Sequence, residues 1–165
     1  MRILGIDPGT LAMGYGVLED TGDQPRMVQC GVLTTRATMS IAERLYELYL
    51  GLTDILIRFR PEEMAIEEPF VAHNVRSALA IGRAQAIAML AAASHGLPVA
   101  TYPPAKVKQS VANYGRSDKE QVQRMVCIQL GLTTSPGPSD ATDALAVALC
   151  HLREKQLSRL LAGSE

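Results

Sequence analysis

The sequence predicts an α/β fold, a mixed five-stranded sheet with helices packed on both faces. Three observations predict it. Short apolar, β-branched runs and longer stretches of helical periodicity follow one another in the order three strands, helix, strand, helix, strand, then helices. The strand segments lack the strict alternation of a one-sided sheet, as burial on both faces requires. The chain has 165 residues, 47% apolar and 20% charged, enough to bury one core without disulfides or a structural metal. No repeat, low-complexity segment or linker divides it, so residues 1–165 read as one domain.

Each element has its own signal. Ile3 to Asp7 is a short apolar strand, and Gly14 to Leu18 and Val28 to Thr34 follow it with β-branched residues. Thr21-Gly22-Asp23 supplies turn chemistry between those two. From Ile41 to Phe59, Leu45, Leu48, Leu52, Ile55, Leu56 and Phe59 recur at helical spacing, and Pro61 ends the helix. Met64 to Glu67 is a second buried strand. Val75 to Ser94 is an alanine-rich helix closed by Gly96, and Val99 to Tyr102 is the last strand. Helices are expected at Ala105 to Val111, Lys119 to Leu130 and Asp140 to Leu161. Ser117 and Glu120 form an S-x-x-E capping box at the start of the second, and Pro136-Gly137-Pro138 lies in the loop before the third.

Composition excludes several classes. Cys30, Cys127 and Cys150 are far apart in apolar surroundings, with no CxxC or Cys/His cluster, so they read as buried free thiols rather than a zinc site. The N-terminus enters a strand at once, and the most apolar helical stretch, Ala86 to Ala93, is too short to cross a bilayer, so the expectation is a cytoplasmic protein. The net charge is −1, but it is unevenly spread. Val71 to Arg124 holds seven basic residues (Arg76, Arg83, Lys106, Lys108, Arg116, Lys119, Arg124) against Asp118 and Glu120, so this segment is +5 and the remainder −6. A basic face for phosphates beside an acidic patch fits that asymmetry, as does an ordinary solvated helix face.

The acids carry the chemistry. Carboxylates ending apolar strands are costly unless paired or bound to metal. Asp7 ends the first strand and Glu67 the fourth, while Asp140 and Asp143 lie i,i+3 at the start of the last helix, on one face. If the two strands are neighbours and the helix starts across their ends, four carboxylates converge. Such hard oxygen ligands select Mg²⁺ or Mn²⁺ over zinc, and a pair of these ions is suited to phosphodiester hydrolysis. Each acid also has a plainer reading. Asp7 precedes Pro8-Gly9 as turn aspartates do, and Asp140 and Asp143 suit a helix N-terminus. Glu67 and Glu68 face opposite ways on a strand, and period alone does not choose between them.

Motifs spread over almost the whole chain resemble the RuvC resolvases. Gly5-Ile6-Asp7-Pro8-Gly9-Thr10 with Gly14-Tyr15-Gly16-Val17 is similar to the family's opening, and Ala65-Ile66-Glu67-Glu68 with Phe70 to its second acidic motif. Val107-Lys108-Gln109 and Ser117-Asp118-Lys119-Glu120-Gln121-Val122 resemble its basic region, and Asp140-Ala141-Thr142-Asp143-Ala144-Leu145-Ala146 its closing motif. Two departures stand out: Thr142 replaces a small apolar residue, and no basic tail follows the last helix.

The resemblance implies a ribonuclease H-like fold and a homodimer. It also implies paired symmetric nicks across a four-way DNA (Holliday) junction in recombination and repair, with divalent metal, Mg²⁺ or Mn²⁺ in its place, and a branch-migration motor as partner. It implies that Asp7, Glu67, Asp140 and Asp143 are the catalytic metal ligands, favouring Glu67 over Glu68. Lys108 and Lys119 become phosphate-binding groups near the cleaved bond, where a lone lysine would otherwise read as solvated. Phe70 becomes an aromatic contacting junction bases, where packing over the core would otherwise be its role. The alanines at 78, 80, 84, 86, 88, 91, 92 and 93 permit close approach of the Val75–Ser94 helix to its own sheet, the favoured reading, or to a second subunit.

Other functions fit less of the chain. Asp7-Pro8-Gly9-Thr10 also opens actin-like ATPases, but those need two lobes and a second Gly-rich phosphate motif. A related ribonuclease H-like nuclease acting on RNA would use the same acids. A non-catalytic DNA-binding module leaves acids standing where phosphates must approach.

Overall fold

Strand pairing confirms the mixed sheet and shows how it positions the acids. The computed structural model describes residues 1–69, 75–112 and 118–162. Its elements are β1 (Arg2–Asp7), β2 (Ala12–Glu19), β3 (Arg26–Thr34), α1 (Ile41–Phe59), β4 (Glu63–Glu67), α2 (Val75–Ser94), β5 (Val99–Tyr102), α3 (Pro104–Ala112), α4 (Lys119–Gln129) and α5 (Ser139–Ala162). The sheet order is β3-β2-β1-β4-β5. β1, β2 and β3 form an antiparallel meander, and β4 and β5 join β1 in parallel through the α1 and α2 crossovers.

The period-2 alternation of β1 and β4 feeds two cores. Leu4, Ile6, Met64 and Ile66 pack with Leu48, Leu52, Ile55 and Leu56 of α1 and with Ala84, Ala88, Ala91 and Ala92 of α2. Ile3 and Ala65 face the other way, onto Val107 and Val111 of α3, Val122 and Val126 of α4, and the buried length of α5. From Ala141 to Leu152 every residue of α5 is buried except Asp143. A helix buried all round is a core helix, here enclosed between the sheet and α3–α4. Glycines let it come that close. A Cβ on Gly14 would strike the Asp140 carbonyl oxygen, and one on Gly5 the Ala144 carbonyl oxygen. These two contacts seat the start of α5 against β1 and β2.

Several details differ from expectation. The box opening α4 is one residue later than Ser117–Glu120. Asp118 is the N-cap, its Oδ1 accepting from the Gln121 N–H (2.8 Å) while Gln121 Oε1 accepts from the Asp118 N–H (3.1 Å). The same three-residue spacing recurs at both registers, and aspartate and glutamine serve it as well as serine and glutamate. α3 begins at Pro104, a proline suited to a first helical turn that lacks amide partners. Of the three free thiols only Cys150 is buried, and Cys30 and Cys127 are half-buried. α2, 20 residues long with two arginines, is long and apolar enough to span a bilayer by length and composition alone, unlike the shorter Ala86–Ala93 stretch. Its Ala84, Ala88, Ala91 and Ala92 row is buried in the core instead, so the sheet reading of the alanines holds for that row.

Candidate active site

β1 and β4 lie side by side and parallel, with Ile6 opposite Ile66, so Asp7 and Glu67 end their strands level with one another. Both point toward the helix α5 side of the sheet, where the first turns of α5 bring Asp140 and Asp143 across the strand ends. Among the described residues, carboxylate oxygens of Asp7, Asp140 and Asp143 all lie within 4.8 Å of one another. Glu67 stands just outside that triplet and lines the same cleft, a cavity of about 540 Å³. Its walls are Pro103, Pro104, Ala105, Val107 and Lys108 from the start of α3, Lys119 and Val122 from α4, and Asp143 and Ala146 from α5.

Electrostatics mark the cluster as built for a cation. Asp7 is pushed up from 3.8 to about 7, first by burial and then by the negative charges of Glu67, Asp143 and Asp140, with Lys119 opposing. Glu67 is pushed up to about 7 by burial and by Asp143, with Lys108 and Lys119 opposing. Gathering carboxylates at this cost is explained by a partner that repays it, and three close oxygen donors with a fourth beside them could hold a metal ion.

The expected lysines are both in the cleft. Lys119 Nζ lies 2.7 Å from Asp143 Oδ2, which holds the ammonium in its charged form. Lys108 reaches the same space from α3 and acts on Glu67. The register separates Glu67 from Glu68. Thr101, opposite Ile66 on β5, donates its hydroxyl to Glu68 Oε1 at 2.7 Å, which turns Glu68 to the opposite side of the sheet from Glu67. Phe70 lies outside the described residues. The Pro103-Pro104-Ala105 wall escaped the sequence reading. A Pro-Pro pair between a strand and a helix was its available signal, since it fixes the chain direction at a cleft edge.

The family model for crossover junction endodeoxyribonuclease RuvC matches residues 3–151. The chain belongs to the RuvC family. A RuvC of Dehalococcoides mccartyi is 48% identical over 165 residues, covering all of this chain and 99% of its relative. One of Chloroflexus aggregans is 53% identical over 151 residues, 92% of each. Among solved structures, Thermus thermophilus RuvC in complex with a Holliday junction substrate superposes with a TM-score of 0.90 at 36% identity, over 96% of both chains. A yeast mitochondrial Holliday junction resolvase shares the fold, with a TM-score of 0.65 at 15% identity. The RuvC fold is ribonuclease H-like, as the motifs implied. RuvC membership makes this chain a nuclease and removes the actin-like and non-catalytic readings.

Proposed function

We propose that this protein is a Holliday-junction resolvase, an endodeoxyribonuclease that recognises four-way DNA junctions in recombination and repair and hydrolyses phosphodiester bonds on two opposed strands. The observation that carries the reading is the convergence of Asp7, Asp140 and Asp143 in a RuvC-family chain, beside a cleft that Asp7, Asp143 and Glu67 line. These four residues are the proposed ligands of a divalent metal, Mg²⁺ with Mn²⁺ able to replace it. Bound there, such an ion supplies charge stabilisation at the scissile phosphate and acidifies attacking water.

The chain's own residues do the rest. Asp7 and Glu67, both pushed up to about 7 by burial and by neighbouring carboxylates, are the acids whose charged forms a bound cation would favour, as ligands to it. Lys108 and Lys119 offer two cations at the cleft wall for the phosphates flanking the cut, affinity without sequence information. Pro103, Pro104 and Val107 wall the cleft with apolar surface. Phe70, two residues past Glu68, is assigned to stacking on an unpaired junction base.

A four-way junction has two-fold symmetry, so cutting two opposed strands calls for two copies of the site, and a homodimer is part of the proposal. Its favoured surface is the outer face of α1 and α2. There Ala42, Leu45, Tyr46, Tyr49, Ile87 and Leu90 line an apolar groove, and Tyr46, Leu50, Leu79 and Leu90 are exposed by 44–62%. Exposed apolar surface of this extent favours a protein partner over water. A cytoplasmic location and cooperation with a branch-migration motor complete the reading. The test compares single-turnover cleavage of a synthetic four-way junction, a plain duplex and a single strand, in Mg²⁺ and in EDTA. Junction cleavage in Mg²⁺ alone is expected, and equal cutting of duplex would overturn the junction reading.

A further inference from the structure

Two turns beyond Asp143, the buried face of α5 carries His151, only 4% exposed. Its Nδ1 lies 2.7 Å from the Tyr102 hydroxyl at the end of β5, and its Nε2 lies 2.7 Å from Glu63 Oε2 at the start of β4. One arrangement of protons satisfies the chain: Tyr102 O–H donates to Nδ1, and Nε2–H donates to Glu63. Burial pushes the Tyr102 phenol up to about 12, which keeps it a donor. The other Glu63 oxygen accepts from Lys155 Nζ at 2.9 Å, from the next turn of α5. None of these groups lines the acidic cleft.

Their spacing relates them to it. Glu63 and Glu67 occupy the same face of β4, four residues and about 13 Å apart along a strand. His151 and Asp143 lie eight residues and about 12 Å apart along α5. Helix and strand therefore run antiparallel with two matched contacts, Asp143 beside Glu67 at one end and His151 on Glu63 at the other. Between those ends the packing surfaces are small. Ala65 faces α5 from β4, and Ala144 and Ala148 ride over Gly5 of β1. Such a surface fixes how closely the helix approaches β1 and β4, while Leu145 and Leu149 pack into the core beside it. The His151–Glu63 contact adds a directional hydrogen bond that ties one point along the helix to one point along β4.

We propose that His151, held between Glu63 and Tyr102, is a positioning residue that sets the axial register of α5 on the sheet and thereby the spacing of Asp140 and Asp143 from Asp7 and Glu67. This rests on the reading of those four acids as metal ligands. Groups that orient metal ligands without touching the ion typically govern affinity about 10–100-fold. The test is Mn²⁺ binding by titration calorimetry to His151→Ala and His151→Gln, without DNA, alongside melting temperature and junction affinity in EDTA. The Gln variant retains an amide donor toward Glu63 and covers the case in which the Ala variant fails to fold. Lys155→Ala, which removes a half-exposed partner of Glu63 and leaves the His151 contacts, is the control for stability alone. Expected is at least a tenfold loss of Mn²⁺ affinity in His151→Ala and a smaller loss in His151→Gln. Lys155→Ala should bind Mn²⁺ within twofold of wild type, and junction affinity should be unchanged throughout. Wild-type Mn²⁺ affinity in both folded His151 variants, with only a lowered melting temperature, would overturn the positioning role. Absence of Asp7-dependent Mn²⁺ binding in the wild type would instead overturn the metal-site reading, and this inference with it.

Discussion

Replacing Asp7 by asparagine should make the metal-free protein more stable while abolishing cleavage. Asp7 sits among Glu67, Asp140 and Asp143 in a buried setting that lifts it from 3.8 to about 7. The unfolded chain releases this proton near pH 4, whereas the folded chain holds it until about pH 7. Between those values the folded state binds more protons, so stability falls as pH rises and levels off above about 7. At about 1.36 kcal/mol per pKa step, the full penalty at pH 8 approaches 4 kcal/mol. The Lys119 attraction is already inside that net shift, and an asparagine amide replaces the protonated acid imperfectly at a cost of about 2 kcal/mol, so about 2 kcal/mol is the expected gain. In a chain of 165 residues that is about 4–8 °C in Tm. The assay is thermal unfolding in EDTA at pH 5 and pH 8, followed by the same scan with Mn²⁺. The variant should melt higher than wild type at pH 8, match it near pH 5, and lose most of the Mn²⁺ stabilisation. An Asp7→Asn protein that melted lower at pH 8, or that cut junctions at near wild-type rate, would refute the reasoning.

Two further outcomes follow from the same geometry. Lys108→Ala and Lys119→Ala should each weaken junction binding and lower the slope of log affinity against log salt by about 0.9, one phosphate's share. Unchanged slopes in both would make them solvated cleft residues. Tyr46→Glu combined with Leu90→Glu, placing charge on both sides of the α1–α2 groove, should convert a dimer at micromolar concentration into a folded monomer by sedimentation. A dimer that survives both charges would move the subunit contact elsewhere.

Much of this was readable from the residues because local pattern and global fold agree. The helix from Ile41 to Phe59 has the bounds its periodicity predicts, since its apolar stripe and Pro61 point the same way. Asp7 and Glu67 were legible because a carboxylate ending an apolar strand demands an explanation. Their convergence with Asp140 and Asp143 was conditional on strand order, which no local pattern encodes; the β1–β4 parallel pairing supplies it. The Asp118 cap was missed because two overlapping boxes satisfy one rule. The Lys119–Asp143 contact and the Tyr102–His151–Glu63 chain join residues 24 to 88 positions apart, a separation that periodicity does not span.

The most direct test maps the cuts on a synthetic junction whose four strands are labelled in turn. Junction, enzyme in excess and Mg²⁺ should yield nicks on two opposed strands at positions related by the junction's two-fold axis, and none in EDTA or with Asp7→Asn. Nicks confined to one strand, scattered without symmetry, or persisting without divalent metal would contradict the proposed resolvase.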